Sequence, residues 1–164
     1  MINPKIFFND LKKENITFFT GIPDSLLKSF CAYIADNSES NSHIIAANEG
    51  GAVSLGVGYH LATNKVPLIY MQNSGLGNAI NPLLSIADKE VYAIPMLLMI
   101  GWRGEPHVKD EPQHKKQGRV TIDLLKSMEI NYFVLSSDTS NDEARSILKK
   151  AVNLAIKNNS PCAL

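Results

Sequence analysis

Short apolar runs rich in β-branched and aromatic residues alternate with helical patterns along this 164-residue chain. The predicted strands occupy residues 16–20, 43–47, 66–71, 95–100 and 132–135, and residues 161–164 begin another. Amphipathic or small-residue helical patterns fill the intervals. Such alternation favours a parallel sheet covered on both faces, because parallel strands need crossover connections. The sequence therefore predicts one α/β domain with three layers, αβα, and a mostly parallel sheet.

Three local patterns refine this prediction. Residues 95–100 form the most apolar run, which indicates a central strand buried on both faces. Pro82 lies inside a helical pattern and is expected to disturb that helix, because proline cannot donate a hydrogen bond to the preceding turn. Residues 101–118 are mostly polar and are predicted to form a long loop, followed by a helix at residues 120–128.

The charge balance argues against two broad classes of partner. Sixteen acidic and sixteen basic residues cancel, so no overall field favours nucleic acid or a membrane surface. Cys31 and Cys162 lie far apart and fit no zinc or CxxC spacing, which is typical of reduced thiols. The first residues lack the blocks of a signal peptide, and no apolar run approaches the ~20 residues of a membrane helix. We therefore expect a cytoplasmic protein.

Residues with catalytic or binding potential follow four of the predicted strands. They lie in residues 21–25, 48–49, 72–75 and 101–104. In a parallel sheet these carboxyl ends meet at one edge, where open α/β sheets bind their ligands. Four polar ends at one edge favour a single composite site over four unrelated loops.

Glu49 lies at the second of these ends, where a strand meets a helix. Its carboxylate either interacts favourably with the helix N-terminus or exchanges a hydrogen bond with a ligand nitrogen at a cleft. The following helix carries small residues despite the helix cost of glycine, roughly 1 kcal/mol relative to alanine. These small residues include Gly51, Ala52, Gly56 and Gly58. They predict the close approach of another backbone, subunit or cofactor, and a homo-oligomer is the expected state.

The other three ends also allow ordinary structural interpretations. Residues 22–25 fit a turn plus a helix N-cap. Residues 73–77 match neither GxGxxG nor a Walker sequence, so a turn that lets a ring approach the backbone is favoured over a phosphate cradle. The loop at residues 102–116 suits a small polyanion, or it is a solvated charged loop. Its histidines lack a nearby cysteine, which argues against zinc.

Together these motifs resemble the pyrimidine-binding domain of thiamine-diphosphate-dependent decarboxylases. The resemblance rests on Asn48-Glu49-Gly50-Gly51-Ala52 and on Gln72-Asn73-Ser74-Gly75-Leu76-Gly77-Asn78 one βα unit later. Three further segments are similar to the phosphonopyruvate branch of the family, with the sulfopyruvate branch as the alternative. They are Gly21-Ile22-Pro23-Asp24-Ser25, Gly101-Trp102-Arg103-Gly104-Glu105-Pro106 and Asp110-Glu111-Pro112-Gln113-His114. The resemblance is collinear over the chain and implies a Rossmann- or flavodoxin-like fold.

The resemblance implies a role for each candidate residue. Glu49 is expected to hydrogen-bond the N1′ atom of the cofactor's aminopyrimidine and to favour the imino tautomer that deprotonates the thiazolium ring. Asp24 and His114 are candidates for proton handling or substrate contact during conversion of phosphonopyruvate to phosphonoacetaldehyde and carbon dioxide. The other candidate cofactor contacts are Asn73, Ser74 and Gly75. The candidate substrate contacts, chosen for charge or for their place in the loops, are Ser25, Arg103, His107, Lys109 and Gln113.

The same resemblance implies that residues 1–164 hold half of an active site. Family members hold Mg²⁺ and the cofactor's diphosphate on a second domain, through a Gly-Asp-Gly followed by Asn, and the sequence lacks that pattern. A diphosphate-binding domain or subunit is therefore the expected partner, and a 2-oxo acid the expected substrate. The chain alone is expected to be inactive, as an excised domain or as a natural α subunit. The alternative of another class is a non-catalytic dimerisation module built on the small-residue helix.

Overall fold

In the computed structural model, which describes residues 2–164, six strands form a single sheet. The strands are β1 (Phe19–Gly21), β2 (His43–Ile45), β3 (Leu68–Gln72), β4 (Met96–Gly101), β5 (Asn131–Tyr132) and β6 (Pro161–Ala163). Their spatial order is β2-β1-β3-β4-β6-β5, and every neighbouring pair is parallel. β3 and β4 take the two central places, which confirms the position predicted for the most apolar run.

Helices cover both faces of this sheet. They are α1 (Pro4–Lys13), α2 (Lys28–Asn37), α3 (Glu49–Thr63), α4 (Leu76–Pro82), α5 (Pro112–Ser127) and α6 (Asn141–Asn158). Alternate side chains of β3 enter different cores, since side chains of a strand point to opposite faces. Leu68 and Tyr70 pack with α1, α2 and α6, whereas Ile69 and Met71 pack with α3, α4 and α5. The three-layer αβα prediction is confirmed.

The helix after β3 is irregular where proline interrupts it. A short 3-10 turn at Asn73–Gly75 leads into α4, which ends at Pro82 and continues as a π-helical turn at Leu83–Ala87. The disturbance predicted at Pro82 is therefore confirmed. α3 packs closely on α4, because a Cβ atom added to Gly50 would lie 2.8 Å from the Asn78 carbonyl oxygen. Part of the glycine content of α3 thus serves contact within the chain.

The loop predicted at residues 101–118 is shorter than expected. α5 begins at Pro112, so its first two turns lie inside the predicted loop, and both Gln113 and His114 are helical. Proline suits the first position of a helix because its φ angle is already helical. The buried positions of α5 are Gly118, Thr121 and Leu125, and only the last is strongly apolar. The start of this helix therefore carries little of the apolar periodicity that a sequence pattern can detect.

The strands also differ from their predicted bounds, and two of the differences are instructive. The first strand covers Phe19–Gly21 rather than residues 16–20. The strand predicted at residues 132–135 is Asn131–Tyr132, which within residues 2–164 pairs only with the short β6. Edge strands are held by one neighbour, so their pairing ends with that neighbour even where the apolar run continues.

A buried carboxylate joins α1 to α6. Asp10, only 2% exposed, accepts hydrogen bonds from Arg145 Nε at 3.0 Å and from Lys13 Nζ at 2.7 Å. Burial acts to raise the pKa of Asp10, but the hydrogen bonds from Lys13 and Arg145 outweigh it and lower the pKa below its ordinary value. Because the pKa of Asp10 is lower in the folded state than in the unfolded state, ionised Asp10 stabilises the fold at pH values above its unfolded-state pKa. This contribution is lost as the pH falls through the folded-state pKa.

We expect Asp10→Asn to lower the free energy of unfolding at pH 7 by about 1.5–3 kcal/mol, the range for hydrogen bonds to charged groups. Urea unfolding at pH 7 and pH 3 measures the effect, and the difference from the parent protein should shrink at pH 3. Asp36→Asn, at an exposed position of α2, is the matched control. A difference that stays constant between the two pH values would contradict the assignment.

Within residues 2–164, every helix falls short of the combined length and apolarity that a membrane crossing requires.

Candidate active site at the carboxyl ends of the strands

The four polar strand ends lie along one edge of the sheet. In the pairing register Gly21 stands beside both Ile45 and Tyr70, and Gln72 stands beside Gly101. Because all these pairs are parallel, the segments that follow β1, β2, β3 and β4 leave the sheet at the same edge. The alignment predicted from the sequence is confirmed.

Glu49 is the first residue of α3 and lies at this edge. The side chain of Asn48 caps the helix by accepting from the Gly51 N–H at 2.8 Å, which leaves Glu49 for other contacts. Glu49 Oε2 accepts a hydrogen bond from Asn78 Nδ2 at 2.8 Å, and the residue is half-buried. Among residues 2–164, Oε1 accepts no hydrogen bond. One oxygen is thus anchored, and the other is available to a donor.

Gly75 makes room for this carboxylate. A Cβ atom added to Gly75 would collide with Oε1, Cγ and Cδ of Glu49. A Cβ added to Gly77, two residues later, would have no heavy atom of the described chain within 4 Å. The side chain of Glu49 therefore lies directly against the backbone of Gly75, which requires glycine at that position and not at Gly77.

Asn73 and Ser74 make contacts within the protein. Asn73, 2% exposed, donates to the Arg103 carbonyl at 2.9 Å and to Thr121 Oγ1 at 2.8 Å, and it accepts from the Arg103 N–H at 3.2 Å. Ser74 Oγ accepts from the Gln72 side-chain amide at 2.6 Å. Asn73 thus connects the end of β3 to the end of β4 and to α5, with both hydrogens of its side-chain amide already donated.

Asp24 is buried in the turn after β1. Its Oδ2 accepts from the N–H groups of Leu26 at 2.9 Å and Leu27 at 3.2 Å, so the structural interpretation as a turn is confirmed. The predicted helix N-cap is wrong, because α2 begins only at Lys28, after an N-cap residue, Leu27, that makes no side-chain capping bond. Its Oδ1 is buried and has no hydrogen-bond partner among the described residues. The carboxylate also packs against Gly101 at the end of β4. An unsatisfied buried carboxylate oxygen costs stability, and such atoms often have a functional reason.

Arg103 is paired with Asp110 across the loop. Asp110 accepts from Arg103 Nε at 2.8 Å and from Nη2 at 2.5 Å, and Arg103 Nη1 donates to Ser25 Oγ at 2.7 Å. The hydrogen bond and charge of Asp110 raise the pKa of Arg103, and the same pairing holds the pKa of Asp110 far below its ordinary value. Both groups are therefore charged throughout the neutral pH range.

The remaining candidates lie in or just after this loop. His107 and Lys109 are exposed, and His107 has a positive φ of 71°. Gln113 is exposed and His114 is half-buried, both in the first turn of α5. Of the candidate residues, the structure joins Arg103 to Ser25 and Asn73 by hydrogen bonds, and it places Glu49 against Gly75.

A family model describing the N-terminal TPP binding domain of thiamine pyrophosphate enzymes matches residues 4–127. This chain belongs to that family. The resemblance to thiamine-diphosphate-dependent enzymes, inferred from the motifs that follow the strands, is therefore confirmed for the family. TPP is the cofactor otherwise called thiamine diphosphate.

Relatives of this TPP binding domain differ in how much of their length it spans. It is 36% identical over 151 residues to the sulfopyruvate decarboxylase subunit alpha of Methanococcus maripaludis, covering 92% of this chain and 86% of that subunit. It is 32% identical over 124 residues to the phosphonopyruvate decarboxylase of Streptomyces viridochromogenes, covering 76% of this chain and 30% of that protein. The chain thus spans most of the first relative and about a third of the second.

The fold of this TPP binding domain also matches solved structures. Benzoylformate decarboxylase from Polynucleobacter necessarius superimposes over the whole chain and over 29% of its own length, with a TM-score of 0.78 at 20% sequence identity. At that identity the match supports the fold alone.

Two residues of the site were not singled out by sequence reasoning. Asn78 anchors Glu49, and Asp110 pairs with Arg103. Asn78 lies within a motif that was recognised, but no pattern assigns its side chain to Glu49, 29 residues away. Asp110 lies seven residues from Arg103 in an irregular loop, where no helical or strand period relates two positions.

We expect Asn73→Ala to destabilise the domain by about 2–4 kcal/mol, since it removes three hydrogen bonds and leaves buried polar groups unpaired. Urea unfolding measures this change. Asn153→Ala, at an exposed position of α6, should alter stability by less than about 0.5 kcal/mol. Equal effects of the two substitutions would contradict a linking role for Asn73.

Proposed function

We propose that this chain is the pyrimidine-binding domain of a thiamine-diphosphate-dependent 2-oxo acid decarboxylase. The observation that carries the proposal is the Glu49 carboxylate, with Oε2 anchored by Asn78 and Oε1 available at the ligand-binding edge of the sheet. The family match and the names of the relatives support the reaction class. The proposed substrate is 3-phosphonopyruvate, converted to phosphonoacetaldehyde and carbon dioxide, and sulfopyruvate is the alternative.

The residues at this edge fit the aminopyrimidine of thiamine diphosphate. The Glu49 carboxylate, for which Gly75 leaves room, offers an acceptor oxygen, which is the complement of a ring that carries a protonated nitrogen. When bound, thiamine diphosphate supplies the carbon nucleophile and the electron sink of the decarboxylation. Gly75 has no side chain to hinder a ring beside Glu49, and Ser74 and Asn73 complete the proposed cofactor-binding turn.

Glu49 is proposed to share a proton with the pyrimidine ring nitrogen. Asn78 holds Oε2, so the carboxylate is oriented before the ligand arrives, and Oε1, which accepts no hydrogen bond within residues 2–164, remains for the donor. Preorganised hydrogen-bonding groups stabilise charge without the cost of reorienting during the reaction. Among the described residues, Asp24 offers its unpartnered Oδ1 for proton handling at the substrate. His114 is proposed for the same role from the first turn of α5.

The substrate-binding residues are proposed from charge and position. Arg103 and Ser25 lie hydrogen-bonded together at the edge, while His107, Lys109 and Gln113 are exposed beside it in the loop and α5. Charged hydrogen bonds from such side chains suit a phosphonate or a sulfonate. These assignments give the anionic end of the substrate a separate place from the carboxylate of Glu49.

The proposal includes a partner for the second half of the cofactor. A diphosphate-binding domain, in a second subunit or elsewhere in the polypeptide, would hold the diphosphate and Mg²⁺. The name of the Methanococcus relative, a subunit alpha, supports a partner subunit. A homo-oligomeric arrangement and a cytoplasmic location complete the proposal.

We expect Glu49→Gln to lower kcat/KM by at least about 100-fold, the scale of acid–base catalysis, because an amide cannot share the proton in the same way. The assay follows aldehyde formation by the complete enzyme with thiamine diphosphate and Mg²⁺, from phosphonopyruvate and from sulfopyruvate in parallel. Glu90→Gln, at an exposed position before β4, is the control. Undiminished activity of Glu49→Gln would contradict the role of Glu49. Turnover of sulfopyruvate but not of phosphonopyruvate would identify sulfopyruvate as the substrate.

We expect Gly75→Ala to reduce kcat/KM by about 100-fold, since a displacement of the order of 1 Å in a catalytic group has effects on that scale. The added methyl group must push the Glu49 carboxylate aside, whereas Gly77→Ala enters open space. Both variants are assayed in the complete enzyme, with thermal unfolding measured in parallel. Similar activities of the two variants would show that the contact between Glu49 and Gly75 is unimportant.

A further inference from the structure

We propose that Asp110 is a positioning residue, and that it holds Arg103 and Ser25 as a three-donor site for the tetrahedral anion on C3 of the substrate. The inference rests on the proposed function for the identity of that anion, a phosphonate or a sulfonate. Asp110 would act by holding the guanidinium group of Arg103 and would not itself contact the substrate.

Arg103 is held at both its backbone and its guanidinium group. Asn73 accepts from its N–H and donates to its carbonyl, so the peptide is fixed against the end of β3. Its Nε and Nη2 donate a bidentate pair of hydrogen bonds to the Asp110 carboxylate, and its Nη1 donates to Ser25 Oγ. A side chain with this many contacts has little rotamer freedom left to lose when a ligand binds.

Asp110 is itself fixed by the backbone. Its Oδ2 accepts from the Gly104 N–H at 2.7 Å and its Oδ1 from the Glu111 N–H at 2.8 Å, in addition to the two bonds from Arg103. The side chains of Arg103 and Asp110 are 19% and 13% exposed. Four accepted hydrogen bonds and this partial burial make Asp110 a rigid support for the guanidinium group.

The hydrogen count leaves three unused donors on the hydrogen-bonded pair Arg103 and Ser25. A guanidinium group has five N–H donors, and Asp110 and Ser25 accept three of them. Of the remaining two, one on Nη1 and one on Nη2, neither finds an acceptor within residues 2–164. Ser25 accepts through its oxygen, so its hydroxyl hydrogen is still available to donate. Two N–H groups and one O–H group match the three oxygens of a phosphonate or a sulfonate.

The carboxylates around Arg103 cancel its charge, so recognition of an anion at this site depends on the geometry of hydrogen bonds. Asp110 neutralises Arg103, and Asp24 and Glu111 lie close enough to contribute to the raised pKa of Arg103. With three carboxylates around one guanidinium, the site carries no net positive charge that would attract an anion from a distance. Binding depends on directed hydrogen bonds, so loss of one donor or of the support of Arg103 should weaken binding of the tetrahedral anion strongly.

The test measures binding and turnover in the complete enzyme. Calorimetric titration uses 3-phosphonopropionate and 3-sulfopropionate, which lack the reactive 2-oxo group, with butyrate as a probe that lacks the tetrahedral anion. Ser25→Ala and Asp110→Asn should each raise the Kd of one or both tetrahedral probes ten- to a hundredfold and leave butyrate unchanged within threefold. Ser25→Thr, which keeps the hydroxyl, should restore binding to within about threefold of the parent.

Kinetics of the same variants separate positioning from general structural support. Asp110→Asn should raise KM by a similar factor while kcat changes less than threefold, and Lys126→Gln, an exposed cation of α5, should change neither. Unchanged probe binding in both Ser25→Ala and Asp110→Asn, or an equal loss of butyrate binding, would overturn the inference. Because the titrations need no turnover, loss of probe binding in an enzyme that decarboxylates neither substrate would support the anion site while the proposed function fails.

Discussion

The parallel register of β1, β2, β3 and β4 is the constraint on which the site depends. It brings four chain segments to one edge, although they lie far apart in the sequence. A strand reversed in this sheet would move its following turn to the opposite edge. The alternating burial of β3, which serves two separate cores, makes such a reversal or a one-residue slip costly. The same packing that stabilises the fold therefore aligns Glu49, Asp24 and Arg103.

Polar contacts position the side chains at this edge more precisely than strand pairing alone can. Asn73 lies buried between the ends of β3 and β4 and bonds both sides of the Arg103 peptide. Asn78 and Gly75 act on Glu49 in a similar way, one by anchoring an oxygen and the other by leaving space. Buried polar groups of this kind cost stability unless they are paired, and their pairing restricts the edge to one arrangement. The edge is thus positioned by the protein before any ligand is present.

The sequence was sufficient for the layers, the central strand and the aligned edge, because these follow from hydrophobic periodicity and from the rules of parallel sheets. The break at Pro82 followed from the chemistry of proline. The start of α5 was missed, since its first turns carry few apolar residues, and β5 was placed too late because its pairing depends on the short β6. The contact of Asp110 with Arg103 was also missed. It depends on the path of an irregular loop, which no residue period encodes.

The exposure of Glu49 explains why a second domain matters to the proposed chemistry. Its carboxylate is half-buried, so water competes with a ligand for Oε1 in this chain alone. A covering domain would exclude that water, and a hydrogen bond to a charged group is electrostatically stronger where the local dielectric is low. Asn78 already restrains the other oxygen, so covering the edge would strengthen the bond without requiring the carboxylate to reorient. The chain therefore supplies an oriented acceptor, and we expect its full effect only where a partner closes the edge.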